Sequence, residues 1–220
     1  TAPTEIYPLS LHDALPIFSI LISTPIGICS AIYLVEYAKA GKIVRAIRFA
    51  TECLSGIPSI IYGLFGMVFF VTILKLRFSI LSGALTLSIM VLPTIIRTTE
   101  EALKSVPLAY REGSLALGAS KLRTIIKTVI PSSVAGIVAA IVLSIGRIVG
   151  ETAAVLLTAG TVQRMPDSFM SGGKTLAVHL YILAKEGVSL DKSFATASVL
   201  IIVVALINLI ANKLGRKLKI

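Results

Sequence analysis

The sequence predicts an all-α protein, a polytopic bundle of transmembrane helices with about five spans. Of its 220 residues 55% are hydrophobic and the mean hydropathy is +0.93, whereas soluble domains contain roughly 45–50% apolar residues. Five apolar segments each approach the about 20 residues that a bilayer requires. We expect each of them to be a helix, because a helix is the open-chain form that satisfies its own backbone hydrogen bonds in lipid.

The predicted spans follow one another between polar loops. The segment before them, TAPTEIYPLSLHDALPI, lacks helical periodicity and resembles translated adaptor sequence more than a signal peptide. Residues 1–16 are therefore expected to have no part in the function, and residues 17–220 are expected to form one transmembrane domain with a cytoplasmic segment at 105–131. Its predicted spans are Ile17–Tyr37, Leu54–Leu74, Phe78–Ile96, Val134–Thr158 and Ala195–Ala211. Glycines within them, among them Gly63, Gly66 and Gly136, predict close contacts between helices.

Basic residues predict the orientation of the spans. The formal net charge is +10, and the positive residues lie in the first loop, in the third loop and at the C-terminus. The positive-inside rule assigns all three regions to the cytoplasm. Lys75 and Arg77, in a short outside loop, are the exception. No aromatic residues are interleaved with the charges, so membrane orientation explains the charge better than nucleic-acid binding.

Other classes of site find little support in the sequence. Cys29 and Cys53 lie in or beside apolar segments without metal-ligand spacing, so we expect buried thiols and neither a disulfide nor a metal. SFMSGGKT ends like a phosphate-binding loop, but Ser168 stands where that loop needs its first glycine. No nucleophile has a base in view, so we expect neither a cofactor nor an enzymatic site.

The polar stretch 105–131 contains the most informative pattern, REGSLALGASKLRTIIKTVIP. Ser105 and Pro107 suit the first turn of a short helix, Gly118 breaks it, and a second short helix is expected from Ala119. Tyr110 is expected to anchor in a groove of a partner, with Arg111 and Glu112 pairing with charges at its rim. An ordinary amphipathic loop would have a similar composition. The residues expected at the contact are Tyr110, Glu112, Gly113, Ser114, Gly118 and Pro131, the last opening the next helix.

Several segments resemble one family. The polar stretch 105–131 alone resembles the segment by which binding-protein-dependent ABC permeases in general couple to their ATPase, and it is called the coupling stretch below. AIYLVEYA, SGIPSIIYGLFGMVFF, VLPTIIRTTEEALKSVPLAYREGSLALGASKLRTIIKTVIPSSVAGI and GRIVGETAAVLLTAG are similar to the PstA family of phosphate permease subunits. The resemblance runs from about Phe18 to the C-terminus and implies a type I ABC permease fold. The family usually has six spans, so the resemblance implies a further span before the first one here.

The resemblance also implies a path for the anion. Arg147 and Glu151 lie four residues apart in IGRIVGETAA, which predicts one face of one helix inside a span. A guanidinium donates two parallel hydrogen bonds to an oxyanion, and Glu151 would balance its charge. An internal ion pair that only holds helices together would use the same residues. Arg97 is a second candidate, and snorkelling to the inner surface explains it as well. Glu36 is expected to be structural, and Glu100 and Glu101 to lie in water or pair with lysines.

The implied function is a permease subunit of an ATP-driven phosphate importer in the inner membrane, with a cytoplasmic C-terminus. Its implied partners are an ABC ATPase dimer, a homologous permease subunit, an extracytoplasmic phosphate-binding protein and the lipid bilayer. The loop 159–194, with a helix expected around Thr175–Lys185, would contact the binding protein or cap the bundle. The alternatives are a permease for sulfate, molybdate or another solute, and a membrane scaffold or intramembrane enzyme. A scaffold would not need ionisable residues in a span.

Overall fold

The computed structural model describes residues 14–39, 41–162, 168–187 and 189–217. Most of the adaptor-like segment 1–16 therefore lies outside the described residues. Those described are mainly helical and include no strand. The helices are α1 (Ala14–Tyr37), α2 (Lys42–Ser55), α3 (Ser59–Ile73), α4 (Ile80–Lys104), α5 (Leu108–Ala116), α6 (Lys121–Val149), α7 (Ala153–Thr158), α8 (Leu176–Glu186) and α9 (Leu190–Lys217).

The predicted fold class, an all-α bundle of membrane-spanning helices, is confirmed. Four helices are long and apolar enough to cross a bilayer, and a fifth span is obtained if α2 and α3 are counted together as one bent span. The candidate spans among the described residues are Ala14–Tyr37, Ile80–Lys104, Lys121–Val149 and Leu190–Ile210, with mean hydropathies of 1.8 to 2.5. The first, third and fifth predicted spans thus exist as helices, with ends that differ by several residues.

The second predicted span, Leu54–Leu74, is wrong at its start. Helix α2 ends at Ser55, and α3 begins at Ser59 after Pro58. A proline disfavours helical geometry at the residue before it and has no backbone N–H to donate. Gly56 and Pro58 therefore separate an apolar helix from a polar one that the sequence interpretation assigned to a loop.

The fourth predicted span, Val134–Thr158, is wrong at both ends. Helix α6 begins at Lys121 and ends at Val149, so Pro131 lies inside it and does not open it. Residues Ile125–Val129, just before this proline, form a π-helical turn. Such a turn is a common site of local adjustment within a helix, and it lets the chain continue past a residue that lacks an N–H donor.

The chain divides into two compact units. The first comprises the described parts of 1–19, 58–88 and 149–200. In it α3 and α7 pack closely, because a Cβ added at Gly63 would lie 2.9 Å from the Ala154 Cα. A Cβ at Gly66 would clash with Thr86 and Thr158. The predicted close contacts at both glycines are confirmed.

The loop before α8 caps α4 in the same unit. The backbone N–H groups of Ile80 and Leu81, which have no partner within their own helix, donate to the carbonyls of Ser171 and Phe169 at 3.0 Å each. The first turn of α4 is thereby satisfied without water. Phe169 also packs edge-on against Phe18, with ring centroids 4.7 Å apart.

The second unit comprises the described parts of 20–57, 89–148 and 201–220. Its buried core contains Ala31, Leu103, Val106 and Val129, from α1, α4, the α4–α5 turn and α6. A Cβ added at Gly136 would clash with the Ala102 Cβ, which confirms the close contact predicted there. These contacts place the coupling stretch 105–131 directly against the ends of α1 and α4.

The expectation of buried thiols is wrong. Cys29 and Cys53 are both free and exposed. Cys53 lies on α2, none of whose residues is buried, and Cys29 lies on an outward face of α1. An outward face of a membrane helix meets lipid, so an apolar cysteine is exposed there without contact to the protein core.

Hydroxyl groups within the helices mostly donate to their own backbone. In each case below the acceptor is the carbonyl four residues earlier, at 2.7 to 2.9 Å. The donors are Ser19, Ser30, Thr86, Ser88, Ser132, Ser144 and Ser198. The Ser88 hydroxyl also lies 3.0 Å from the Ser19 carbonyl oxygen of α1. The buried hydroxyl oxygens of Thr24 and Thr99 have no hydrogen-bond partner among the described residues. A hydroxyl that donates to a carbonyl of its own helix is tolerated in lipid, because its acceptor belongs to the same helix.

Candidate functional site

The first part of the coupling stretch, residues 105–120, is a short helix followed by a tight turn, and it is called the coupling segment from here on. Helix α4 ends at Lys104, α5 begins at Leu108 after Pro107, and Gly118 adopts φ = +80°. Ser120 then caps α6, its hydroxyl accepting from the Arg123 N–H at 3.4 Å. The predicted break at Gly118 is confirmed, and its geometry requires glycine because other residues rarely adopt this φ.

Arg111 fastens α5 to α1 and to the end of α4 within the second unit. Its Nε and Nη2 lie 3.1 and 3.0 Å from one Glu36 carboxylate oxygen, and Nη1 and Nη2 also donate to the carbonyls of Val106 and Leu103. The side chains of Arg111 and Glu36 are only 15% and 9% exposed. The expectation that Arg111 pairs with a partner's rim is therefore wrong, because its donors are used internally. The structural role predicted for Glu36 is confirmed.

The opposite surface of the segment is exposed. Tyr110 is 55% exposed and Leu117 90%, and Leu108 and Leu115 are also exposed. Glu112 is exposed, and a Cβ added at Gly113 would meet no atom within 4 Å. Ser114 instead turns inward, its hydroxyl 2.9 Å from that of Thr124 at the start of α6. The segment thus has a mainly apolar outer surface, and Arg111 and Ser114 attach it to the neighbouring helices.

A cluster of charges lies between α2 and the end of α4. Glu100, which is 6% exposed, has Oε1 at 2.7 Å from both Arg48 Nε and Lys104 Nζ. Neither contact has the alignment of a hydrogen bond, so the attraction is mainly that of charge. Glu100 therefore pairs with a lysine, which was one of the two expectations. It does not lie in water, which was the other.

Arg97 belongs to the same cluster. Its guanidinium lies 3.3 Å from a Glu52 oxygen and 3.4 Å from a Glu101 oxygen, and its side chain is 52% exposed. The six charged residues line an open cavity of about 230 Å³ together with Thr51. Three positive and three negative side chains balance there, so the cavity offers an anion no net attraction.

Arg147 and Glu151 do not share a helical face. Helix α6 ends at Val149, and Glu151 follows in the short connection to α7. A Glu151 carboxylate oxygen accepts from the Ala154 N–H at 3.2 Å, at the start of α7. Gly150 interrupts the helix that their spacing predicted, which is the expected effect of glycine near a helix end. Arg147 is half-buried in the last turn of α6, and a Cβ at the adjacent Gly146 would lie 3.9 Å from the Asn208 Oδ1 of α9.

The helix predicted around Thr175–Lys185 is confirmed as α8. Thr175 caps it, its hydroxyl accepting from the Val178 N–H at 3.3 Å. Lys174 Nζ lies 3.0 Å from the His179 Nδ1. Burial lowers the pKa of Lys174, and the negative charge of Glu186 opposes that shift.

The arrangement of the helices is a fold found in a solved ABC transporter. Two structures of the MetNI methionine ABC transporter in inward-facing conformations match with a TM-score of 0.79, covering 94% of this chain and 92% of theirs, at 20% identity. More particularly, the chain belongs to the binding-protein-dependent transport system inner membrane component family, whose profile matches residues 23–219.

Individual relatives are similar over most of this chain. The probable ABC transporter permease protein YqgI of Bacillus subtilis is 36% identical over 90% of it. The phosphate transport system permease proteins PstA 1 of Mycobacterium tuberculosis H37Rv and PstA of Yersinia pestis are 38% and 36% identical over 87% and 92%. The chain spans 72%, 63% and 69% of the lengths of these three relatives. It is thus a multi-pass inner membrane protein and a transport component.

Two contacts of the site escaped the sequence interpretation. The Arg111–Glu36 pair joins residues 75 positions apart, and the Arg48–Glu100 pair joins a presumed loop to a span. No pattern in the sequence near Glu36 predicts that Arg111 is its partner. For Arg48 there was a signal, because apolar residues 43, 47, 50 and 54 recur at helical spacing.

Proposed function

We propose that this chain is the permease subunit of an ATP-driven importer for inorganic phosphate. The observation that carries the proposal is the similarity of most of the chain to permeases named for phosphate transport in several bacteria. In this proposal a homologous subunit completes the translocation path and an extracytoplasmic phosphate-binding protein delivers the anion. The C-terminus lies in the cytoplasm, on the side of the coupling segment.

The ATPase dimer docks on the coupling segment. Its exposed side offers Tyr110 and Leu117 as apolar anchors, and exposed aromatic and aliphatic groups of this kind dominate the energy of many interfaces. Gly113, with open space above it, lets a partner approach the α5 backbone. The bonds from Arg111 to Glu36 and to two carbonyls hold α5 against α1 and α4, so a displacement of α5 is passed to both helices.

Arg147 is the proposed anion contact within the path. It is half-buried on an apolar helix, where an ionisable side chain is expensive and usually faces a cavity or a partner. Glu151 is proposed to limit the net charge near it while capping α7. Arg97 is the weaker candidate, since its two carboxylate partners compete with any arriving anion.

The substrate is tested by uptake through the complete complex, made of this chain, its homologous subunit, the ATPase and the binding protein. We expect labelled phosphate to accumulate with ATP, and a large excess of unlabelled sulfate or molybdate to leave the rate unchanged. Unlabelled phosphate is the matched competitor and should suppress the signal. Competition by sulfate or molybdate, or ATP-driven uptake of another solute alone, would contradict the phosphate assignment.

Arg147→Lys tests the anion contact. Lysine keeps the charge but lacks the planar fork of guanidinium, so we expect phosphate uptake to fall about tenfold or more at matched membrane abundance. The double variant Arg147→Gln, Glu151→Gln removes both charges, and glutamine can still accept the bond from Ala154. We expect this variant to remain folded and inactive. Recovery of uptake in the double variant would show that the two charges serve only to balance each other.

A further inference from the structure

Helix α2 has its polar side turned inward. Arg48 reaches Glu100, and Glu52 reaches Arg97, both on α4, while Arg48 Nη2 also donates to the Leu34 carbonyl of α1 at 3.4 Å. None of the residues of α2 is buried. The helix is therefore attached to its unit through charges, and its packing against the core does not explain its apolar residues.

The outward side of α2 is apolar. Ile43 is 76% exposed, Phe49 69% and Ile47 41%. Residues 43 and 47 are one helical turn apart, and Phe49 lies about 120° around the helix from Ile43. The exposed Ala46, Ala50 and Cys53 lie between Ile43 and Phe49, so these two side chains flank the outward side. Such side chains gain free energy only when something apolar covers them, at roughly 25 cal/mol for each Å² removed from water. Within the described part of this chain Ile43 and Phe49 remain mostly uncovered, and Ile47 is about half covered.

The charges near α2 and its position in the fold indicate what covers its apolar side chains. Residues 37–51 contain Lys39, Lys42, Arg45 and Arg48 and no acidic residue. Arg48 is used by Glu100, whereas Lys42 and Arg45 are exposed and form no ion pair within the described residues. Positive residues that flank an apolar helix face complement anionic lipid headgroups above acyl chains. A protein surface would need to be apolar and acidic at once.

The length of α2 agrees with a surface position. Its 14 residues extend about 21 Å at 1.5 Å per residue, too short to cross a bilayer core of about 30 Å. Glu100 and Lys104, to which α2 is tied, lie in the last two turns of α4, immediately before the coupling segment. Helix α2 is thus tied to the end of a candidate span, next to the coupling segment.

We propose that α2 is an interfacial helix that binds anionic phospholipid. Ile43, Ile47 and Phe49 enter the outer part of the acyl region, and Lys42 and Arg45 contact the headgroups. The site goes beyond substrate transport and does not depend on which solute the chain carries. Because Glu100 ties α2 to α4 one turn before the coupling segment, lipid bound there holds the end of α4 at the membrane surface.

The absence of tryptophan from this chain allows a direct test. Phe49→Trp introduces a single fluorescent reporter into the full chain, which is then reconstituted in vesicles with brominated phospholipids. We expect blue-shifted emission and quenching that is stronger with bromine near the top of the acyl chain than near its end. Leu117→Trp, on the coupling segment, is the control and should be quenched by iodide in water instead. Ile47→Trp provides a second reporter if Phe49→Trp folds poorly.

Headgroup preference is measured with the same reporter. Brominated phosphatidylglycerol should quench Phe49→Trp more than brominated phosphatidylcholine, with a binding ratio of about fivefold for each basic residue that contributes. Adding Lys42→Gln and Arg45→Gln should bring the ratio close to one while leaving the depth of quenching unchanged. An equal ratio for both lipids before these substitutions would overturn the anionic part of the proposal.

The assembled transporter provides the decisive comparison. A photoreactive benzoylphenylalanine at position 49 is illuminated in cell membranes that contain all subunits. Lipid adducts are expected, and they support the proposal. A protein adduct at position 49 would show that another subunit covers α2. Water-like emission of Phe49→Trp in vesicles of either composition would equally overturn it. Neither result bears on phosphate uptake, so this proposal and the transport proposal fail separately.

Discussion

Arg111→Ala is expected to detach the coupling segment and to abolish uptake. It leaves the carboxylate of Glu36, 9% exposed, without its partner and frees the carbonyls of Leu103 and Val106. Removal of one member of a buried ion pair typically lowers the free energy of unfolding by about 3–5 kcal/mol. We expect a lower unfolding temperature of the purified chain and loss of ATPase co-purification.

Arg123→Ala is the matched control for this change. Arg123 is exposed on the first turn of α6, close in sequence to the same segment, and surface substitutions usually change stability by less than about 0.5 kcal/mol. Glu36→Ala should reproduce the effect of Arg111→Ala, because it leaves the guanidinium buried and uncompensated. Unchanged unfolding temperature in both variants would mean that the pair does not hold α5.

Gly118→Leu is expected to abolish coupling while the helices still insert. At φ = +80° a leucine is strained by about 1–2 kcal/mol, and the turn would shift to relieve that strain, moving α5 relative to α6. No atom lies within 4 Å of the added Cβ, so internal clashes are not the cause. We expect loss of uptake and of ATPase co-purification, with normal abundance in the membrane.

Gly187→Leu separates backbone strain from location. Gly187 has φ = +62°, and a Cβ there also meets nothing within 4 Å, but it lies between α8 and α9. The two substitutions impose a similar backbone penalty, so a similar small loss of stability is expected from both. Gly187→Leu should nevertheless keep ATPase binding. Equal loss of coupling in both variants would trace the effect to stability.

Local signals in the sequence were sufficient for much of the fold. Apolar length predicted α1, α4 and α9, and Gly118 predicted the turn of the coupling segment, because both depend on a few adjacent residues. Helix α2 was missed because its charges dominate a hydropathy window although its apolar residues recur at helical spacing. The prediction that Pro131 opens a helix was wrong because a π-helical turn accommodates this proline within α6. A proline alone does not indicate whether a helix adjusts or begins there.

The candidate site was less predictable because its contacts span long separations. Glu36 was expected to be structural from its place at the end of a span, but its partner lies in another helix. Spacing of four residues placed Arg147 and Glu151 on one face, a conclusion that holds only while the helix continues. Gly150 ends it. Pair contacts of this kind depend on which helices become neighbours, and one sequence does not specify that.

The hydroxyl groups of the helices affect how easily the bundle changes shape. Ser30, Ser132 and Ser144 each donate to a carbonyl of their own helix, so sliding or rotation of one helix against another breaks none of these bonds. In lipid, an interhelical hydrogen bond would have to be broken without water to replace it. At these three positions a conformational cycle is opposed by repacking of methyl groups and glycine contacts, a resistance that is spread over many small steps, and not by the loss of a hydrogen bond.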